Sequence, residues 1–252
     1  RDYFSLGNLS GASNAWAVGG NKSLSGKPIL ANDPHLRVTA PNWWYEVHLS
    51  APGWNVAGVS IPGSPFIIIG HNDSLAWGFT NAMLDDADFY IEQEDFVKPY
   101  FYRYKNSFLP MEVREEIIKT KSGDSVTLTV RSTHHGPIIN EVNQPLQHLS
   151  TSGGRDSIMN NPVALRWTGY EMSDEFHGFY LMNRSTNITE FEYGLKELTV
   201  PGQTAVYADV DGNIAYWTAA AAPIRTKTNA MVPLDGSTGN AEWEGFISFE
   251  DL

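Results

Sequence analysis

An α+β fold built on antiparallel sheets is predicted by two features of the sequence. Strand-like segments crowd residues 14 to 93, and helical spacing is gathered late, between 173 and 198. A parallel sheet would need strands and helices in regular alternation, which is absent.

From Asn14 to Gln93, "NAWAV", "PILA", "WYEVHL", "WNVAGVSI", "FIIIG", "LAWGFT" and "DFYIEQ" are rich in β-branched and aromatic residues. Gly, Pro, Asn and Asp clusters bound them as turns. "FIIIG" (66–70) reads as a buried strand, and "GHNDSLAWG" as a hairpin with His71, Asn72 and Asp73 at its turn. Residues 94–170 are looser. There "EEIIKT" and "SVTLTVRST", joined by "KSGD", predict a hairpin, followed by a loop at "HHGPIIN" and the polar stretch "STSGGRDSIMNN". The period then changes: "SDEFHGFYLMNRS" and "NITEFEYGLKEL" have helical spacing, with Ser173 and Asn187 as N-caps and Glu in each first turn. "AVYADVDGNIAYW" (205–217) predicts a hairpin turning at "DG". The tail from "AAAAPIRTKTN" to Leu252 reads as loop with short structure, and no internal repeat is present.

A chain of 252 residues with 42% hydrophobic and 12% aromatic content buries a sizeable core. No apolar run approaches the ~18 residues a membrane span needs, and no charged n-region precedes an apolar stretch at the start. The net charge of −12 argues against nucleic acid as a partner. With no cysteine, disulfides, thiolate metal sites and a thiol nucleophile are all excluded.

Ser13, in "SGASNAWAVGG", is the first candidate nucleophile. A serine hydroxyl needs a base, and no "GxSxG" elbow anchors a His-carboxylate triad here. A second solution requires one residue only. If the chain is cut before Ser13, the freed α-amine, with an ordinary pKa of about 7.7–8.0, can take the hydroxyl proton. "DDAD" (85–88) offers hard oxygens of the kind Ca²⁺ takes, although a solvated acidic turn is the commoner use of such a run. His71, His134, His135 and His148 show no metal-ligand spacing.

"SNAWAV", "GKPILANDPHL" and "GSPFIIIGHNDSLAWGFTNAMLDDADFY", followed by "THHGPII" and "YADVDGNIAYW", resemble in order and spacing the start of the catalytic β-chain of the penicillin acylase family. That family belongs to the N-terminal-nucleophile hydrolases. The match is dense over 13–92 and thin over 140–200. The resemblance implies a four-layer αββα sandwich and autocatalytic cleavage of the Ala12–Ser13 bond. Ser13 would be the nucleophile, its own amine the base, and the substrate an N-acylated small molecule. It places His35 beside the serine, the backbone N–H of Asn81 in the oxyanion hole, and Arg225 as a supporting arginine. The family's second oxyanion donor, an Asn side chain, falls on Thr204, with Gln203 beside it. Either of these substitutes, or the protein is a weak or altered member, or a degenerate one that kept the fold and lost activity. Leu36, Trp43, Ile69 and Phe79 fall where the acyl pocket is lined, with Trp43 and Ile69 equally readable as core. Asp85, the Ala87 carbonyl and Asp88 fall on a structural Ca²⁺ site.

By the same resemblance residues 1–12 are the end of a linker and 13–252 the N-terminal part of the β-chain, with 93–200 a variable insert. An α-chain and the rest of the β-chain complete the enzyme, which works in the bacterial periplasm or outside the cell. With residues 1–12 attached, the nitrogen of Ser13 is an amide, so the polypeptide as given is expected to be inactive. The rival from another class is a non-catalytic β-rich module binding carbohydrate or calcium, which explains "NWWYE" and "DDAD" but not the ordered match.

Overall fold

The computed structural model describes residues 12–36, 38–140, 161–225 and 232–252. The chain forms two compact units. Of the described residues, one comprises 12–84, 171–222 and 247–252; the other comprises 85–140, 161–170, 223–225 and 232–246. The α+β expectation holds. Among the described residues the strand pairs are antiparallel except Leu234–Asp235 on Ala87–Ile91, and the helices Glu175–Arg184 and Ile188–Leu195 follow late in the chain.

In the first unit, one sheet runs in the order Ile214–Ala219, Gln203–Asp209, Leu75–Asn81, Ile69–Asn72, Trp54–Ser60, Tyr45–Ala51. Side chains alternate between its two faces. Leu75, Trp77, Phe79, Ala205, Tyr207 and Ala219 point one way and pack with Met182, Phe191, Leu195 and Leu198 from the helical segment. Burying large apolar side chains such as these contributes about 1.5–3 kcal/mol apiece. The helices approach closely where they lack side chains: a Cβ on Gly178 would sit 2.9 Å from the Gly194 carbonyl oxygen. Asn187 caps its helix as expected, accepting the Glu190 N–H at 3.0 Å. The other cap is Asp174, not Ser173; its carboxylate accepts the His177 N–H at 3.0 Å, where negative charge also favours the helix dipole.

The opposite face carries Gly78, Thr80, Thr204 and Val206, and the hairpin of Ser13–Val18 with Ile29–Pro34 is fixed against it. The fixing residue is Asn32. Its Oδ1 accepts the Phe79 N–H at 3.0 Å, while Nδ2 donates to the carbonyls of Phe79 at 3.1 Å and Asn14 at 2.9 Å. Gly78 makes the approach possible, since a Cβ there would lie 2.7 Å from that of Asn32. This unit therefore stacks helices, a large sheet and a two-stranded piece of a second sheet. Asn32→Ala is expected to lower stability by about 1–3 kcal/mol for each buried main-chain group left unpartnered. Chemical denaturation measures this, and an unchanged midpoint would refute the role of the amide.

"FIIIG" departs from the expectation. Regular pairing starts only at Ile69, because Asn183 on the first helix takes both main-chain groups of the fully buried Ile67 at 2.8 Å. A side-chain amide thus replaces a neighbouring strand.

The second unit is made of small sheets. Glu112–Lys119 and Ser125–Thr133 form the expected hairpin, extended by Gly136–Pro137. Ala87–Ile91 is central between Val163–Trp167 and Leu234–Asp235. A further hairpin, Phe101–Tyr104 with Ser107–Pro110, was not expected from the sequence.

Candidate active site

Ser13 opens the first strand of the hairpin, half-buried and facing inward with Ala15 and Ala17, whereas Asn14 and Trp16 face out. A cleft of about 310 Å³ lies beside it, lined by Ser13, Asn14, Ala15, Trp16, Thr80, Thr204, Val206 and Tyr216. Ser13 and Thr204, 191 positions apart in sequence, therefore line one depression. The carbonyl preceding Ser13 is also engaged: Ala12 O accepts the His35 N–H at 2.8 Å. The His35 ring does not line the cleft; its Nε2 lies 2.6 Å from Asp33 Oδ2 and 3.5 Å from Asn14 Nδ2.

Asn81 ends its strand opposite Gln203. The Ala82 N–H bonds the Gly202 carbonyl, so by antiparallel alternation the N–H of Asn81 faces away from the Gln203 strand. It lies on the edge where Asn32 takes the N–H of Phe79. The Asn81 side chain is used locally, accepting the Met83 N–H at 2.9 Å, with Met83 in the left-handed region at φ 54°. Of the two candidates for the second donor, Thr204 stands in the cleft, paired with Thr80 and Thr218 on neighbouring strands. Gln203 turns to the other face, and its Nε2 donates to the Gly202 carbonyl at 3.0 Å.

The four acyl-pocket candidates separate. Leu36 and Trp43 are exposed, at 46% and 58%. Phe79 belongs to the core, 4% exposed and edge-on to Phe179 at 6.1 Å, and Ile69 packs against the same core. Neither lines the cleft: odd-numbered positions of the Leu75–Asn81 strand face the helices, and Ile69, on the neighbouring strand, packs against the same core. The core alternative thus describes Ile69 but not Trp43.

In the second unit Arg225 is seated on the acidic run. Its Nε bonds Asp88 Oδ2 at 2.6 Å and its NH2 group donates to the Asp85 carbonyl at 2.9 Å, with Trp243 Nε1 also on Asp88 Oδ2. Asp88 is buried and its Oδ1 has no hydrogen-bond partner among the described residues, whereas the Asp85 side chain is largely exposed. The Arg225 guanidinium serves as counter-ion to Asp88, and no chemical step is assigned to a Ca²⁺ ion at Asp85, Ala87 and Asp88. The described His, Asp and Glu side chains converge elsewhere. His134 and His135, which show no ligand spacing in sequence, meet Glu242 at a cavity of the second unit. His148, and residues 1–11 of the expected linker, lie outside the described residues.

The order of these motifs has a counterpart in known proteins. Over 240 residues the chain is 30% identical to the acyl-homoserine lactone acylase QuiP of Pseudomonas aeruginosa, covering 93% of this chain and 28% of that protein. Over 241 residues it is 31% identical to penicillin G acylase of Escherichia coli, covering 94% of this chain and 26% of that enzyme. The chain thus spans little more than a quarter of the relatives it matches. The crystal structure of a thermostable penicillin G acylase from Alcaligenes faecalis superposes with a TM-score of 0.79 at 25% identity, over 95% of this chain and 41% of that one. The family model for penicillin amidase matches residues 2–252. The chain belongs to the penicillin amidase family.

Proposed function

We propose that the protein supplies the nucleophile of an amide-hydrolysing acylase, with Ser13 released by cleavage of the Ala12–Ser13 bond. The observation that carries this reading is the placement of Ser13. It heads a two-stranded hairpin, lines a cleft with Thr80 and Thr204, and follows a carbonyl that already accepts the His35 N–H. For processing, the Ser13 hydroxyl attacks the Ala12 carbonyl carbon and its proton passes to the Ser13 nitrogen as the Ala12–Ser13 C–N bond breaks. Water then hydrolyses the ester left on Oγ, releasing the Ala12 carboxylate and restoring the hydroxyl. The hydrogen bond from His35 polarises that carbonyl and steadies the developing oxyanion.

Once freed, the Ser13 amine takes the hydroxyl proton as Oγ attacks the substrate carbonyl, then gives it to the departing amine nitrogen. The C–N bond breaks and an acyl ester remains on Oγ. Water attacks the ester, passing its proton to the amine, and the carboxylic acid leaves as Oγ recovers the proton. The Asn81 N–H and the Thr204 hydroxyl are the donors assigned to the oxyanion. Substrates in this reading are N-acylated small molecules such as the β-lactams, acyl-homoserine lactones or acyl amino acids. The names of the relatives support the first two classes. An α-chain and the remainder of the β-chain are the partners assigned to it, and the periplasm or exterior its compartment. No helix among the described residues is long and apolar enough to cross a membrane.

The test is intact mass and N-terminal sequencing of the full-length precursor, followed by assay of acid release from phenylacetyl and fatty-acyl amides. A new chain beginning at Ser13, and acid release that appears with it, is the expected result. A precursor that stays whole while hydrolysing these amides would sink the assignment.

A further inference from the structure

We propose that His134, His135 and Glu242 form a binding site for one divalent transition-metal ion of the Zn²⁺ class, in the second unit and independent of the serine chemistry. Consecutive residues in a strand point to opposite faces, but His134 and His135 occupy the turn between Ser125–Thr133 and Gly136–Pro137. Gly136, at φ 137°, makes the return that few other residues could adopt. Both rings therefore lie on one side, with centroids 3.8 Å apart. Glu242, 107 residues from His135, closes the set: its Oε1 lies 3.1 Å from His135 Nε2 and 3.5 Å from His134 Nε2. Two donors each about 2.1 Å from an ion at a tetrahedral angle are about 3.4 Å apart, close to both carboxylate–imidazole spacings, and all three ligand atoms lie within 4.8 Å of one another.

The surroundings are built as those of a metal centre are. Each histidine has its other nitrogen held: Nδ1 of His135 on Glu92 Oε1 at 2.8 Å, and Nδ1 of His134 on the Tyr102 hydroxyl at 2.9 Å. These contacts fix both rings and turn both Nε2 atoms toward Glu242, the arrangement by which outer carboxylates orient ligating imidazoles. Glu92 is fully buried and braced by the Thr133 hydroxyl at 2.7 Å. Gly236 makes room for it, since a Cβ there would come within 2.6 Å of Glu92 Oε2. The Tyr90 ring stacks on His135 at 3.8 Å. Glu92 and Glu242 together bring two negative charges to balance a dication. Two imidazoles and a carboxylate are borderline donors that suit zinc and its neighbours better than calcium. Three protein ligands beside a cavity of about 220 Å³ leave a coordination position for solvent.

The test is a Zn²⁺ titration of the chelator-stripped full-length protein against a chromophoric competitor, with Co²⁺ as the spectroscopic probe. One equivalent per chain is expected, with d–d absorption from bound Co²⁺. Both signals should vanish in Glu242→Gln and in His134→Gln, two partly exposed positions whose replacement leaves circular dichroism unchanged. Should Glu242→Gln fail to fold, His134→Gln decides alone. Glu92→Gln should weaken binding about 10–100-fold, as loss of an outer-shell partner does. No stoichiometric binding by the parent, or equal affinity in parent and His134→Gln, overturns the proposal and leaves the cluster a hydrogen-bonded imidazolium between two carboxylates.

Discussion

Ser13→Ala is expected to leave the precursor uncut at Ala12–Ser13 and to reduce amide turnover by about 10⁶-fold, the scale on which removing a serine nucleophile acts. The change is small in every other respect. Alanine keeps the strand: positions 15 and 17, on the same inward face, are already alanine, and the pairing of residue 13 with Pro34 is a main-chain matter. A folded, uncut, inactive variant with parental circular dichroism is therefore the predicted product. A second measurement separates the amine from the hydroxyl. In the processed parent, kcat/KM should fall tenfold per pH unit below the pKa of the Ser13 amine, about 7.7–8.0 if ordinary, because the protonated amine accepts no proton. A flat profile through that range would assign the base to another group. An uncut Ser13→Ala variant with parental turnover would remove the serine from the mechanism altogether.

What could be read from the sequence was what local pattern encodes. The "DG" turn gave a hairpin with Ala208 opposite Ile214, and Asn187 gave a helix start, because both depend on residues within a few positions. What sequence pattern did not encode includes long-range side-chain to main-chain bonds. Asn183 captures Ile67 from 116 residues away, and Asn32 captures Phe79 from 47, so neither partnership leaves a trace in periodicity. The same holds for the sites. Ser13 was visible through the order of the motifs around it. That Phe79 faces the helices while Thr80 faces the cleft follows only from sheet register, and Glu242 joins His134 and His135 only after the chain has folded back.

In the proposed reaction, register makes Thr204 the residue on which the strength of catalysis is expected to turn. Thr204→Val keeps the β-branched shape that suits its strand while removing the hydroxyl donor. The expected result is a kcat lower by about 10²–10³-fold, or about 2.7–4 kcal/mol of barrier, as for loss of one oxyanion donor. Because such a bond strengthens only as charge develops, kcat and kcat/KM should fall together and KM should hold. Processing at Ala12–Ser13 should persist, since the carbonyl involved is held by the His35 N–H instead. Thr204→Asn makes the complementary test. A longer amide at the same position of the cleft should turn over at least as fast as the parent, while Gln203→Ala, on the opposite face, should leave kcat unchanged. Parental kcat in Thr204→Val would mean that the Asn81 N–H carries the oxyanion without help from this strand. Loss in Gln203→Ala instead would place the second donor on the neighbouring residue, against the alternation of the sheet.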